Sequence, residues 1–290
     1  MWPFRSRPRP EAPTTAFETA STEGRLIYAI GDVHGRLDLL RILVGRIADD
    51  LSAALPTGRP MLVLLGDYID RGEQSRGVID MVMALRERSG FDVRCLKGNH
   101  EETLLNFLDD PTTGPAWGLF GGRATLKSYG VTPPQGVNLV EWEAARDALA
   151  DALPERHLAF FRSLSNSLVI GDYLYVHAGI RHGVELEAQS ERDMLWIRDP
   201  FLKEDRPFEK FVVHGHSPTN APYFGPHRIC VDTGAYATGV LTAARLLDAD
   251  RRFISTEAPQ PVETAETVQP AWRRPFTWAT PDQAAAAGQA

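Results

Sequence analysis

The sequence predicts an α/β fold, and two patterns support this prediction. Short, largely apolar runs recur along the chain, and each is followed by a turn that carries polar side chains, as expected of strands covered on both faces. Residues 37–55 and 78–85 repeat apolar side chains at helical spacing. Because open α/β sheets bind ligands at the carboxyl ends of their strands, the polar residues after each run are the candidate site.

The first apolar run, residues 26–30, ends at Gly31 and is followed by Asp32 and His34. An acid and an imidazole just beyond a buried strand are typical of a metal site. Taken alone, the motif fits equally well with Asp32 capping the next helix and His34 lying on the surface.

Four further runs end in the same kinds of side chain, which favours the metal site. We therefore predict that the five strands are neighbours and that their tips converge. The runs and the polar residues after them are 61–65 with Asp67, Asp70 and Arg71; 91–96 with Asn99 and His100; 173–176 with His177; and 211–213 with His214 and His216.

The candidate ligands offer carboxylate, amide and imidazole groups and no thiolate. This mixture suits Mn²⁺, Fe or Zn²⁺ better than a calcium cage. There are too many candidates for one catalytic ion with an open position, but they suit two ions that share a carboxylate and a solvent hydroxide. Asp67 is the candidate for the shared carboxylate because its strand has partners on both sides.

Composition narrows the functional classes. A chain of 290 residues with 43% hydrophobic and 24% charged residues predicts a soluble globular protein. The net charge of −7 argues against general nucleic-acid binding, and no apolar stretch is long enough to predict a membrane span. Cys95 and Cys230 lie in apolar runs, so we expect buried thiols in a reducing, cytoplasmic compartment, with a disulfide as the alternative. The oligomeric state stays open.

The chain divides into three parts. Residues 1–24 are rich in Pro, Arg, Ser and Thr and are expected to form a disordered leader, and residues 255–290 are expected to form a disordered tail. Residues 25–254 form the predicted domain, in which residues 102–165 interrupt the alternation of strands and helices as a small helical cap insertion.

The cap carries aromatic residues and a pair of glycines whose role the sequence leaves open. Trp117, Phe120 and Tyr129 fit either a surface that stacks a nucleobase or an ordinary core. Gly121 and Gly122 fit either a close backbone approach to a ligand or a turn between helices.

Five motifs, taken together, resemble those of the calcineurin-like metallophosphoesterases. They are GDVHG at 31–35, GDYIDRG at 66–72, GNHE at 98–101, VHAG at 176–179 and GHS at 215–217. The second and third resemble the phosphoprotein phosphatase branch, which includes serine/threonine phosphatases and symmetrical diadenosine tetraphosphatases. Over residues 26–247 the resemblance implies a four-layer αββα sandwich, with two mixed β-sheets packed face to face between helices.

The resemblance also implies roles for individual residues. Two divalent ions, Mn²⁺ before Fe or Zn²⁺, are expected, with the bridge at Asp67. Because the family's ligand follows the glycine, His216 is preferred to His214. The implied first-metal ligands are Asp32 and His34, the second-metal ligands are Asn99, His177 and His216, and the phosphate-binding residues are Arg71, Arg198 and Asn99. For Arg198, a surface ion pair is the alternative.

The expected mechanism is hydrolysis by a hydroxide that bridges the two metal ions and attacks phosphorus in line. His100 is expected to donate a proton to the leaving oxygen, and Asp70 to orient His100 and raise its pKa. A packing role beside the metal is the alternative for His100. No covalent phosphoenzyme is required.

Three functions fit these expectations. The first is hydrolysis of phosphoserine and phosphothreonine in proteins, which the compact GDYIDRG and GNHE motifs favour. The second is symmetrical hydrolysis of dinucleoside polyphosphates, if the cap forms an adenine pocket. The third is a metal-binding scaffold without turnover. The presence of every candidate ligand and of the candidate acid argues against it.

Overall fold

A computed structural model of the protein describes residues 19–54, 56 and 58–257, and the backbone of residues 263–264. The strands are β1 (Ile27–Ile30), β2 (Met61–Leu64), β3 (Asp92–Cys95), β4 (Ser167–Ile170), β5 (Tyr173–Val176), β6 (Phe211–His214), β7 (Tyr223–Phe224), β8 (Arg228–Cys230), β9 (Thr242–Leu247), β10 (Asp250–Ser255) and β11 (Glu263–Thr264). The α-helices are α1 (Leu37–Ala54), α2 (Ser75–Arg88), α3 (Asn99–Asp109), α4 (Gly114–Trp117), α5 (Arg123–Ser128), α6 (Leu139–Ala152), α7 (Glu155–Arg162), α8 (Glu191–Trp196), α9 (Asp199–Leu202) and α10 (Ala235–Thr238). Short 3₁₀ turns lie at Pro111–Thr113 and Leu186–Ala188, and a π turn lies at Gly118–Gly122.

The strands form two mixed sheets, as predicted. The first has the order β10-β9-β1-β2-β3 and the second β11-β7-β8-β6-β5-β4. In the first sheet β1, β2 and β3 are parallel, while β9 runs antiparallel to β1. In the second, β6 is parallel to both β5 and β8.

Alternating side chains on the strands build three apolar layers. Ile27 and Ala29 of β1 share one buried cluster with Tyr173 and Phe211 of the second sheet, so the two sheets pack face to face. The opposite face of β1, including Tyr28, packs against α1, α2 and the cap helices. A third cluster joins β5 and β6 to the segment that contains α8 and α9. This arrangement confirms the predicted four-layer αββα sandwich.

The five predicted strand tips come together, but not as neighbours in one sheet. The tips of β1, β2 and β3 belong to the first sheet, and those of β5 and β6 belong to the second. The sheets meet at this edge through hydrogen bonds: His177 Nδ1 lies 2.9 Å from the Leu65 carbonyl oxygen, and His216 N donates to Asp32 Oδ2 at 3.1 Å. The tips of both predicted sheets therefore converge at one edge of the sandwich.

The chain on both sides of the predicted domain carries more structure than composition indicated. Thr22 is fully buried, and its backbone N–H donates to Asp248 Oδ1 at 2.8 Å, so residues 19–24 of the predicted leader are fixed to the domain. Within the predicted tail, β11 pairs in parallel with β7. The remainder of both segments, residues 1–18, 258–262 and 265–290, lies outside the described residues.

The cap shares its core with the first sheet. Trp117 and Tyr129 are buried in the same apolar cluster as α1 and α2, so they are core residues and not a base-stacking surface. Phe120, in contrast, is 59% exposed. Cys95 and Cys230 are free thiols, as predicted, but only Cys230 is buried and Cys95 is half-buried. Among the described residues, no helix combines the length and apolarity that crossing a bilayer requires.

Candidate metal centre

Asp67 lies between two groups of buried potential metal ligands. His34 Nε2 is 3.4 Å and His100 Nε2 is 3.8 Å from Asp67 Oδ2. On the other side, His177 Nε2 is 3.4 Å from Asp67 Oδ1. We call His34, Asp67 and His100 the first group, and Asp67, His177 and His216 the second group. One carboxylate thus belongs to both groups.

The backbone at this site is strained in a way that the sequence does not reveal. Five non-glycine residues of the site have left-handed φ angles, a conformation that costs on the order of 1–3 kcal/mol for each residue. They are His34 (φ 44°), Asp67 (52°), Asp70 (71°), Arg71 (66°) and His216 (64°). Strain held by surrounding structure is typical of residues whose side chains must be aimed at one point.

Asp32 connects the first group to the second sheet. Its Oδ1 and Oδ2 accept hydrogen bonds from the backbone N–H of His216 at 3.2 and 3.1 Å. Burial raises the pKa of Asp32 well above its ordinary value, and the nearby charges of Asp232 and Asp67 raise it further. A cation beside these acids would relieve that repulsion.

His34 and His177 are oriented by the backbone. Nδ1 of His34 lies 2.9 Å from the Ile69 carbonyl oxygen, and Nδ1 of His177 lies 2.9 Å from that of Leu65. Since a carbonyl only accepts, each Nδ1 carries the proton and each Nε2 lone pair faces Asp67. Burial lowers the pKa of both histidines, which favours the neutral form that binds metals.

The second group includes an amide as well. Asn99 Oδ1 lies 2.9 Å from His177 Nε2 and 2.9 Å from His216 Nδ1. His216 is 5% exposed, yet its Nε2 has no hydrogen-bond partner. Two imidazole nitrogens close to one amide oxygen, together with a buried imidazole nitrogen that has no partner, fit residues arranged around a cation.

Asp67 has the charge that a shared ligand needs. Burial alone would raise the pKa of its carboxyl group, but the imidazoles of His177, His100 and His34 lower it below its ordinary value. A carboxylate together with imidazole nitrogens is a donor set that Mn²⁺, Fe and Zn²⁺ accept. The residues present therefore fit a pair of divalent ions.

The structure separates the two histidines of the VHGHS motif. His214 is fully buried beneath the site, with Nε2 3.2 Å from an Arg228 guanidinium nitrogen and its ring 4.9 Å from the ring of Phe201. Only His216 lies beside Asn99. His216 therefore stays the predicted ligand.

His100 and Asp70 form the expected pair. His100 Nδ1 is 2.6 Å from Asp70 Oδ2. The cap holds that acid, since Trp117 Nε1 donates to Asp70 Oδ2 at 2.8 Å and Thr125 Oγ1 donates to Asp70 Oδ1 at 2.5 Å. Burial lowers the pKa of His100, but Asp67 and Asp70 outweigh it, so the net shift is upward. His100 also belongs to the first group, which the sequence did not indicate.

Two buried acids of the site received no role from the sequence. The Glu101 carboxylate accepts from the backbone N–H groups of Asp67, Tyr68 and Gly98 at 2.8, 2.8 and 2.9 Å, which ties two strand tips together. Burial and the Asp67 charge raise the pKa of Glu101 to about 8. Glu101 ends the GNHE motif, so the signal was present.

The second of these acids, Asp232, follows β8 and accepts from the Gly234 N–H at 2.9 Å. Burial raises its pKa to about 6, against the lowering effect of that hydrogen bond. Asp232 is an acid just beyond a strand, as Asp32 is, and the same rule would have found it.

Arg71 lies beside the first group. One of its guanidinium nitrogens is 3.5 Å from His100 Nε2, and its backbone N–H donates to the Gly121 carbonyl oxygen at 3.2 Å. Gly121 has a φ of 118°, and a Cβ there would lie 2.6 Å from Arg71 N. The cap glycine therefore approaches the arginine backbone, not a ligand.

Arg198 lies beside the second group. It donates to Ser217 Oγ at 3.4 Å, and its charge contributes to lowering the pKa of His216 and His177, after burial and the neighbouring histidines. Both predicted arginines thus reach the candidate centre, one on each side of Asp67.

Comparison with known proteins agrees with this geometry. Residues 25–240 match the sequence model of the family described as calcineurin-like phosphoesterase. A curated relative from Geobacillus thermodenitrificans, named bis(5'-nucleosyl)-tetraphosphatase (asymmetrical), is 27% identical over 259 residues, covering 83% of this chain and 98% of its own. A relative of the same name from Bacillus thuringiensis is 25% identical over 249 residues, covering 79% and 94%.

Solved structures resemble this one in fold. A putative diadenosine tetraphosphatase has a TM-score of 0.53 at 17% identity and covers 81% of this chain and 95% of its own. A cold-active protein tyrosine phosphatase has a TM-score of 0.50 at 18% identity, covering 86% and 87%. At these identities the likeness concerns the fold alone.

Proposed function

The chain belongs to the calcineurin-like phosphoesterase family, and on that premise we propose that it is a dimetal hydrolase of dinucleoside tetraphosphates. The observation that carries the proposal is the position of Asp67, whose two carboxylate oxygens face two separate sets of buried imidazoles. The relatives named above support the substrate. Their name favours asymmetrical cleavage, to a nucleoside triphosphate and a nucleoside monophosphate, over the symmetrical cleavage that was the second candidate from the sequence.

The proposed ligands divide between the two ions. Asp32, His34 and Asp67 would hold one, and Asp67, Asn99, His177 and His216 would hold the other. When bound, the ions activate a water molecule and neutralise charge on the reacting phosphate. Mn²⁺ is the first candidate, because the donors are oxygen and imidazole nitrogen.

The chain's own side chains orient the substrate and supply a proton. Arg71 and Arg198, on opposite sides of Asp67, donate to phosphate oxygens, and Asn99 is placed to share in that contact. His100 donates the proton that the departing oxygen needs, through Nε2, while the Nδ1 contact with Asp70 keeps the ring in place. No covalent bond between protein and substrate is involved.

Phosphoserine and phosphothreonine in proteins are the second candidate substrates. The GDYIDRG and GNHE motifs favour them, and the same centre would serve. The cap does not decide between the two, because Trp117 and Tyr129 are buried and cannot stack an adenine ring. Cys95 and Cys230 are free thiols, which supports the proposal of a reducing, cytoplasmic location.

The test is a side-by-side assay of the full chain with diadenosine tetraphosphate and a phosphoserine peptide. The protein is stripped with a chelator and reloaded with Mn²⁺, Fe²⁺ or Zn²⁺ in turn, and nucleotides are separated by chromatography. We expect metal-dependent release of ATP and AMP in equal amounts. ADP alone would establish symmetrical cleavage, and phosphate release from the peptide alone would make the second candidate correct.

A third outcome separates enzyme from scaffold. If the reloaded protein binds two equivalents of metal by elemental analysis but hydrolyses neither substrate, the catalytic proposal fails and the scaffold alternative stands.

A further inference from the structure

Two aromatic side chains at the candidate centre remain substantially exposed. Trp196 and Tyr236 are each 39% exposed, whereas most large aromatic side chains of the described residues are buried. Both rings lie beside proposed metal ligands. Exposed aromatic rings next to a phosphate site are the surfaces on which nucleobases stack.

Tyr236 belongs to the first group's side of the site. Its ring packs edge-to-face with His34 at a centroid distance of 5.4 Å. The Arg71 guanidinium carbon lies 4.3 Å from the centre of the tyrosine ring, within cation–π range. A proposed phosphate-binding group and an exposed ring therefore form one unit, which we call the Tyr236 arm (Arg71 and Tyr236).

Trp196 lies on the second group's side of the site. Its ring lies edge-to-face with His216 at 6.4 Å, and its Nε1 donates to Glu102 Oε2 at 2.6 Å. Arg198 follows two residues later and reaches the same side of the centre through its contact with Ser217. Trp196 and Arg198 form the Trp196 arm.

The two arms lie on opposite sides of Asp67. His34, which contacts Tyr236, faces Asp67 Oδ2, and His177, which packs against His216 at 5.0 Å, faces Oδ1. The site therefore has a guanidinium and an exposed aromatic ring on each side of the proposed metal pair. A ligand that matches this pattern has a polyphosphate chain in the middle and a flat ring at each end.

We propose that the Tyr236 and Trp196 arms are two nucleobase subsites, one for each end of a dinucleoside polyphosphate. This inference rests on the proposed function. Each ring stacks on a base, and the arginine of the same arm binds the adjacent phosphates. Because stacking uses the face of the base, the subsites accept different bases with similar affinity.

The proposal separates this site from a phosphopeptide site. A phosphoserine peptide presents one phosphate and does not require a ring at each end. An aromatic ring that only shields an imidazole from water tends to be buried. Phe201, which packs against His214, is an example, since both side chains are fully buried.

The experiment compares ligands that differ only in carrying a base. Inhibition constants are measured for ATP and for inorganic tripolyphosphate against diadenosine tetraphosphate hydrolysis by the metal-loaded full chain. The variants are Trp196→Leu and Tyr236→Leu, with Trp196→Phe and Tyr236→Phe as ring-keeping counterparts. Val169→Ala, an exposed apolar change on β4, and Phe120→Leu, an exposed aromatic change in the cap, are the controls.

We expect each leucine variant to raise the KM for diadenosine tetraphosphate by roughly tenfold, the loss typical of one stacked base. In at least one leucine variant, the inhibition constant of ATP should rise more, relative to wild type, than that of tripolyphosphate. Tripolyphosphate carries no base, so its inhibition constant reports any disturbance of the arginines. The phenylalanine variants should restore most of the affinity. Melting temperatures establish that all variants are folded.

Different failures have different meanings. If the wild-type protein cleaves diadenosine tetraphosphate but the leucine variants weaken ATP and tripolyphosphate equally, the base subsites are refuted and the proposed function stands. If Phe120→Leu alone gives the selective loss, the base binds at the cap and this inference is wrong. If the wild-type protein does not cleave the dinucleotide, the proposed function and this inference fall together.

Discussion

The two halves of the candidate centre are supported by different parts of the chain. In the first half, the cap holds His100 and Arg71 in place, through Trp117 and Thr125 on Asp70 and through Gly121 on the Arg71 backbone. In the second half, no cap side chain among the described residues forms a hydrogen bond or ring contact with His177 or His216. Their partners are the Leu65 carbonyl, Asp32, Asp67, Asn99 and Trp196 of α8. The proton donor therefore depends on the cap, and the second ligand set does not.

Replacing the residue common to both halves should have the largest effect. Asp67→Asn removes the only charge that both groups share, so we expect both ions to be lost or weakened. Replacing a residue that hydrogen-bonds to a metal ligand typically lowers activity by up to roughly 100-fold. Because Asp67 is proposed as a ligand itself, turnover should fall further. Metal content and initial rates are the measurements, with the exposed Asp109→Asn as the control. Wild-type turnover with two bound ions would show that Asp67 is not the bridge.

A change confined to the second half comes next. His216→Ala should leave one ion bound instead of two and lower the rate by at least about 100-fold. His214→Ala, two residues away, should keep both ions and lose stability, because it leaves a cavity beside Phe201. Elemental analysis and thermal melting distinguish the two. Loss of an ion from His214→Ala alone would reverse the assignment.

A change confined to the first half should have a different signature. His100→Asn is expected to slow hydrolysis of substrates with poor leaving groups by on the order of 100-fold, because those oxygens need a proton. With p-nitrophenyl phosphate, whose phenolate leaves without one, the loss should be much smaller. Equal losses on both kinds of substrate would exclude the proton-donor role.

The smallest effect tests the dependence on the cap. Thr125→Val keeps the shape of a fully buried side chain but removes two hydrogen bonds with Asp70, one donated to Oδ1 and one accepted from the backbone N–H. At about 1–2 kcal/mol for the bond to the carboxylate, we expect roughly a tenfold loss on poor leaving groups and unchanged metal content. Ser217→Ala, which removes an Arg198 contact in the second half, is the comparison, and it should raise KM instead. A loss of metal in Thr125→Val would contradict the separation of the two halves.

The strands that were predicted from the sequence are those that are apolar and are followed by polar residues. Residues 173–176 were predicted to the residue, and the first three strands to within one residue at each end. The sequence missed four strands: β4, the two-residue β7, β10, which is rich in charge, and β11, whose pairing partner is distant in the chain. Local pattern carries no information on such pairing.

The sequence predicted those site residues whose side-chain type is itself typical of a metal ligand. Asp32, Asp67 and His177 could be singled out because an acid or imidazole follows one apolar run after another along the chain. Trp196 and Tyr236 could not, since an aromatic residue is ordinarily core and only its exposure in the folded chain indicates otherwise. The left-handed backbone was also hidden, because residues other than glycine adopt it only when tertiary contacts impose it.

The buried segment ahead of β1 clasps the two sheets at the end opposite the metal centre. Ser21 and Thr22 bond to Asp248 in the β9–β10 turn of one sheet, and the Ser21 N–H also bonds to Asp172 in the β4–β5 turn of the other. A protein shortened to begin at Arg25 would lose this clasp and keep every catalytic candidate. Each sheet carries part of the ligand set. If one sheet slid against the other, the distances between the ligands would change, although no residue of the site itself had been altered.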